Sequence, residues 1–187
     1  MLVAIAGLPG TGKSTLARRL ADAVGGVVLC KDVVRGTLFP PPVLDYSTDQ
    51  DDVTMRAIYA AAGTIHRSFP ECPILIDGRT FSRAYQVRDL LDTAASGIEL
   101  RVIECVCAED VAQSRLLRDA VEGGHPAGNR TPELYRVVKA RAEPLTIPRL
   151  ILDTGTTSLD DCLRRAIVYL SNTQPDGAQT LRLDVAK

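Results

Sequence analysis

The sequence has no tryptophan, three phenylalanines and five tyrosines in 187 residues. So few aromatic faces speak against a nucleic-acid end as the ligand, since grooves for single strands stack bases on aromatic side chains. Neither sign of charge dominates: 22 Lys and Arg stand against 23 Asp and Glu, a net charge of −1. That balance excludes a strongly basic polyanion binder and an acidic disordered chain, while leaving room for a local basic patch. No apolar run reaches the roughly 18 residues that a membrane helix needs. The start, Met1-Leu2-Val3-Ala4-Ile5-Ala6, enters a glycine motif with no basic segment before it, so no signal peptide is expected. The five cysteines (Cys30, Cys72, Cys105, Cys107 and Cys162) are odd in number and include no CxxC pair. Reduced, mostly buried thiols in a cytoplasmic protein are expected, in place of disulfides or zinc ligands. Cys105 and Cys107 flank Val106 in a stretch that reads as a strand, where they would share a face. His66 and His125 have no partner at metal spacing and read as structural.

What is present is enough apolar sequence, 45% of residues, for one sizeable core. A chain of this length buries about 70% of its unfolded surface. One domain over residues 1–172 is expected, followed by a polar tail at 173–187 that contains Pro175 and Gly177. Short apolar runs at 2–6, 27–30, 73–77, 100–106 and 149–152 read as strands, the fourth despite Arg101 and Glu104. Between them, apolar residues recur at helical spacing over 13–24, 32–39, 53–69, 82–95, 109–121, 132–142 and 158–170. Gly123-Gly124-His125-Pro126 reads as a loop. Strands that alternate with helices imply right-handed crossovers and a parallel sheet, hence an α/β fold of three layers.

One motif carries chemistry. Gly7, Leu8, Pro9, Gly10, Thr11, Gly12, Lys13 and Ser14 match G-x4-G-K-[ST] at every specified position, and Thr15 continues the helix that the motif opens. It lies between a strand and a helix, as a phosphate cradle must. Glycines let backbone N–H groups curl around phosphate oxygens, and the helix N-terminus adds its positive end. Lys13 would reach the β- and γ-phosphates of a nucleotide, and the Ser14 hydroxyl would bind Mg²⁺. A GTPase would need an Asn-Lys-x-Asp run and an ABC subunit a Ser-Gly-Gly signature. Neither occurs. A hexameric ATPase module usually needs more chain, which leaves the compact kinase type.

Four segments extend the comparison: 7–20, Cys30-Lys31-Asp32-Val33-Val34-Arg35, Ile74-Leu75-Ile76-Asp77-Gly78-Arg79-Thr80-Phe81, and Ser114-Arg115-Leu116-Leu117-Arg118. Over residues 1–172 they resemble the small P-loop kinases that include zeta toxins, chloramphenicol phosphotransferase and the kinase domain of polynucleotide kinase. The resemblance implies a P-loop NTPase fold with strand order 2-3-1-4-5 and a helical lid at about 115–142. It assigns Asp32 as the base that takes the acceptor's proton. Asp32 follows the second strand at the ligand-binding edge, and a helix cap is its rival role. Asp77 ends an apolar strand as a Walker B carboxylate does, and would hold Mg²⁺ with Ser14. Its rival role is an Asp-Gly turn. Arg115 and Arg118, three apart on one helix face, match the lid arginines and would neutralise transition-state charge. Arg35, Arg79 and Arg130 are candidate acceptor contacts. For Arg56, Arg79 and Arg83 a solvated surface position is the stronger reading. Tyr46 lies in an insert where acceptor pockets form, and Thr154-Gly155-Thr156-Thr157 is placed beneath the adenine by analogy. Two departures from the group's pattern fall near the acceptor: Cys30-Lys31-Asp32 where Ser-x-Asp is common, and Gly78-Arg79 before Thr80.

The expected activity is transfer of the γ-phosphate of ATP, with Mg²⁺, to a hydroxyl of a small molecule. A polynucleotide 5′-hydroxyl kinase and an ATP-dependent switch or assembly factor are the alternatives. Asp32 discriminates, because a kinase needs an acceptor base beside an open pocket.

Overall fold

Leu2–Ala6 carries no polar side chain, and in the computed structural model it forms the central strand β1, with all five residues buried. The structure describes residues 1–122 and 131–172. The expected loop at Gly123–Pro126, the candidate Arg130 and the tail 173–187 lie outside the described residues. In chain order the elements are β1 (Leu2–Ala6), α1 (Lys13–Val24), β2 (Val27–Cys30), α2 (Lys31–Leu38), α3 (Thr48–Ser68) and β3 (Ile74–Asp77). Then come α4 (Ala84–Ala94), β4 (Leu100–Val106), α5 (Glu109–Glu122), α6 (Pro132–Ala140), β5 (Leu150–Asp153) and α7 (Leu159–Ser171).

The five strands pair in the order β2-β3-β1-β4-β5, all parallel, as expected. Strand residues alternate between the two faces of the sheet, and each face is buried under helices. Leu2, Ala4, Ile74, Ile76 and Val102 pack with Met55, Ile58 and Ala62 of α3 and Leu90 of α4. Val3, Ile5, Leu75, Ile103 and Cys105 pack with Leu16 and Leu20 of α1 and Cys162, Ala166 and Leu170 of α7. A smaller cluster, Ala112, Leu116 and Tyr135, joins α5 to α6. The register sets Cys30 beside Asp77, so the ends of β2 and β3 meet at one edge.

The polar residues of β4 are satisfied where they stand. Arg101 donates to the Asn172 carbonyl at 2.6 Å and pairs with Glu99 at 2.7 Å. Glu104 is held by Arg149. The third helix starts at Thr48, five residues before the position expected from its apolar stripe. Ser47 caps it by accepting the Gln50 N–H at 3.2 Å, and Asp49 and Asp51 favour the first turn. Those residues are polar, so periodicity could not reveal them. Cys105 and Cys107 part company: Cys105 belongs to the α1/α7 face, whereas Cys107 follows the strand and packs against the α5–α6 cluster. The five cysteines are free thiols.

Ile76 is fully buried at the centre of one face. Ile76→Ala is expected to cost about 2–5 kcal/mol in urea unfolding, from lost transfer energy and the residual cavity. A loss well under about 1 kcal/mol would contradict this packing. Burial also pushes the Cys105 thiol up to about 12 from its usual 9.0, with the nearby Lys13 charge opposing only part of the shift. Its contribution to stability is therefore complete below the ordinary thiol range and is lost as pH rises towards about 12. Stability measured through that window should fall less steeply in Cys105→Ala than in the wild type.

Candidate active site

Between β1 and α1 the chain turns through residues that only glycine can supply. Gly7 has φ +130°, and a Cβ there would lie 2.2 Å from the Cys105 carbonyl oxygen. Gly10 has φ +78°, and its Cβ would meet the Ala112 carbonyl of α5 at 2.5 Å. The loop is thus pressed between β4 and α5, with its backbone fixed before any ligand arrives. Gly12 precedes α1 in the left-handed region, and no side chain caps that helix, which leaves its first N–H groups for phosphate. Thr11 is buried, and its hydroxyl donates to the Leu8 carbonyl at 2.8 Å. Lys13 Nζ donates to the same carbonyl at 2.6 Å, laying the ammonium across its own loop.

A cleft of about 1370 Å³ opens along the carboxyl edge of the sheet. Pro9, Gly10, Gly12, Lys13, Ser14 and Thr15 line one part of it; Asp32, Arg35, Asp77 and Arg79 line another, with Arg115 and Arg118 alongside. Gly7, Leu8 and Thr11, also of the loop, instead line a separate pocket of about 180 Å³.

Asp77 is 2% exposed, and its Oδ1 has no hydrogen-bond partner among the described residues. Burying a carboxylate oxygen without a partner is costly, and a divalent cation relieves that cost. With the half-buried Ser14 hydroxyl in the same cleft, the donors suit Mg²⁺, which takes few protein ligands and fills its shell with water and phosphate oxygens. Cys30, paired with Asp77 in register, has its thiol raised mainly by burial and further by the Asp77 and Asp32 charges.

Asp32 does not cap α2. The N-cap is Cys30, with no side-chain cap bond, so Asp32 stands in the first turn with another role. Its Oδ1 accepts from Arg35 Nη2 at 2.8 Å and lies 3.9 Å from Lys31 Nζ. No hydrogen bond engages Oδ2 among the described residues. Asp51, from α3, joins the group by accepting from Lys31 at 2.7 Å and from Arg35 at 2.6 Å. The Arg35 guanidinium lies 4.6 Å from the centre of the Tyr46 ring, and Tyr46 adopts φ 56°, which is unusual for a side chain of its size.

Arg79 overturns its surface reading. It is 2% exposed, pairs with Asp52 of α3 at 2.7 Å, and lies 5.6 Å from the Tyr85 ring centre. Arg56 is exposed on α3 away from the cleft, and Arg83, half-exposed, pairs with Glu143 at 3.1 Å. Arg115 reaches back from α5 to the Thr154 hydroxyl (3.0 Å) and carbonyl (2.7 Å), and more weakly to the Gly10 carbonyl. The Thr154 hydroxyl donates to the Thr11 carbonyl at 2.9 Å. This threonine therefore ties the P-loop to α5. Asp153 beside it is lowered, first by the Gly155 N–H and also by Thr156 and Arg115. Arg118 is exposed on the cleft's rim. Sequence reasoning missed Asp51 and Asp52; their only signal was two adjacent carboxylates ahead of an apolar stripe.

A family model described as AAA domain matches residues 2–145. No curated protein matches the sequence. Among solved structures, a candidate kinase from Chloroflexus aurantiacus J-10-fl is 22% identical, with a TM-score of 0.71 over 90% of this chain and 97% of that one. The APS kinase CysC of Mycobacterium tuberculosis, in complex with AMPPNP and APS, is 19% identical, with a TM-score of 0.68 over 91% and 97%. A gluconokinase from Sinorhizobium meliloti is 17% identical, with a TM-score of 0.64 over 90% of each. At these identities the likeness is one of fold.

If the loop holds nucleotide phosphates, Mg-ATP should raise the melting temperature by mass action. Lys13→Ala should abolish most of that rise, because it removes the charge placed for the β- and γ-phosphates. An unchanged rise in the variant would contradict the site.

Proposed function

The chain belongs to the AAA domain family, whose model spans residues 2–145, and from that premise we propose that it is an ATP-dependent phosphotransferase acting on a hydroxyl of a small molecule. The observation that carries this reading is the setting of Asp32. It lines the same cleft as the P-loop, is anchored through Oδ1 by Arg35, and has no hydrogen bond on Oδ2 among the described residues. A carboxylate fixed in direction with one oxygen available is what a proton acceptor requires. The kinases among the similar folds support the reading, as does the resemblance to zeta toxins, chloramphenicol phosphotransferase and polynucleotide kinase.

In this reading Lys13 and the backbone N–H groups of the P-loop hold the β- and γ-phosphates of ATP. Ser14 and Asp77 would hold Mg²⁺, which when bound offsets phosphate charge. The acceptor oxygen bonds to the γ-phosphorus as the bond from that phosphorus to the β,γ-bridging oxygen breaks. ADP leaves, and the acceptor's proton passes to Asp32 Oδ2. Arg115, fixed by Thr154, and Arg118 at the rim supply positive charge where the transferring group gains negative charge. Arg35 and Arg79 shape the acceptor side. Arg130 belongs to the same proposal but lies outside the described residues. Among the described residues no helix is long and apolar enough to cross a membrane. We place the reaction in the cytoplasm, where ATP is abundant and thiols stay reduced.

Asp32→Asn keeps the volume of the side chain and can still accept from Arg35, so the fold and the ATP-induced rise in melting temperature should survive. It cannot take a proton, so transfer to the acceptor, read as a product heavier by about 80 Da, should fall about 10²–10⁴-fold. Slow loss of phosphate to water should persist, because the P-loop is intact. Transfer at a near wild-type rate in this variant would remove Asp32 from the role of base.

A further inference from the structure

The acceptor side of the cleft carries a charge arrangement unlike that beside the P-loop. Arg115 is held by neutral oxygens, those of Thr154 and Gly10, and keeps its charge for a ligand. On the acceptor side each buried cation instead rests on a carboxylate. Lys31 and Arg35 share Asp51 at 2.7 and 2.6 Å, Arg35 also holds Asp32 at 2.8 Å, and Arg79 holds Asp52 at 2.7 Å. These three cations face three carboxylates, so the paired groups sum to zero. The cations are 8%, 4% and 2% exposed in that order, which fixes the pairs in place.

Resting on the phosphotransferase reading, we propose that Asp51 and Asp52 set the acceptor class: by balancing the charge of Lys31, Arg35 and Arg79 they make this wall select an uncharged polyhydroxy molecule and turn away anions. A hydroxyl both donates and accepts, so it can bond to either member of an ion pair, donating to a carboxylate oxygen or accepting from a spare N–H. An anion can only accept. It would meet cations whose charge is already balanced, with Asp32, Asp51 and Asp52 close by, and would lose its hydration with little in return. Asp51 carries the larger share, since it meets both Lys31 and Arg35 at hydrogen-bond distance, whereas Asp32 stands 3.9 Å from Lys31.

The test uses the full chain, Mg-ATP and matched acceptor pairs that differ in one charge: aldoses against their aldonates, and nucleosides against their monophosphates. The wild type should phosphorylate an uncharged member with kcat/KM at least about tenfold above its anionic partner, and with little dependence on salt. Asp51→Asn should narrow that ratio by about tenfold or more and make turnover of the anion salt-sensitive, chiefly through KM; Asp51→Glu should restore the preference. A merely structural role would lower both members of a pair alike. Wild-type preference for the anionic member overturns the inference and leaves the phosphotransferase reading standing, and so does a proportional loss on both in Asp51→Asn. ATP loss to water with no phosphorylated member in any pair overturns the phosphotransferase reading, and the inference with it. If Asp51→Asn fails to fold, the wild-type ratio still decides.

Discussion

The close approach of the P-loop backbone to its two neighbours is the constraint on which the rest of the structure depends. β1 lies between β3 and β4, so the loop that leaves it must pass over β4 and beneath α5. There is no room for a Cβ at Gly7 or Gly10, and the contacts that exclude one are carbonyl oxygens, which cannot swing away as a flexible side chain would. Thr154 then ties the loop to the end of β5 and, through Arg115, to α5. The loop is therefore shaped by the fold. A pre-shaped array of N–H groups spends little binding energy on its own ordering, which is why this geometry suits tightly bound phosphate.

From that fixed point the sheet order distributes the remaining chemistry. Because β3 neighbours β1, Asp77 arrives beside the loop; because β2 neighbours β3, the Lys31-Asp32 pair arrives beside Asp77. The first turns of α3 then bring Asp51 and Asp52 across to meet the cations of α2 and of the segment after β3. Buried pairs of this kind hold their partners in a single arrangement, and losing one member costs about 3–5 kcal/mol because the other is left uncompensated. In the proposed reading, stability and acceptor choice are thus linked through the same side chains.

What the sequence made readable was local. The strands, most helix limits and the P-loop each follow from residues within a few positions of one another, and the parallel pairing follows from their alternation. Long-range pairing was not readable. Arg79 meets Asp52 across 27 positions, and nothing in either neighbourhood marks the other, so a surface place for Arg79 was the natural expectation. Asp32 could be seen at the right edge but not distinguished from a cap, because the decision lies in Arg35 one turn on and in Asp51 from another helix. The start of α3 escaped notice because its first turn carries no apolar residue to set a period.

The proposed phosphotransferase sends the γ-phosphate to a hydroxyl and not to water. Phosphorus NMR of the wild-type chain turning over Mg-ATP with a pool of uncharged hydroxyl compounds measures that partition directly. A phosphomonoester resonance should grow in step with ADP, with inorganic phosphate a minor product. ADP accompanied by inorganic phosphate alone, at a rate indifferent to every added hydroxyl compound, would contradict it.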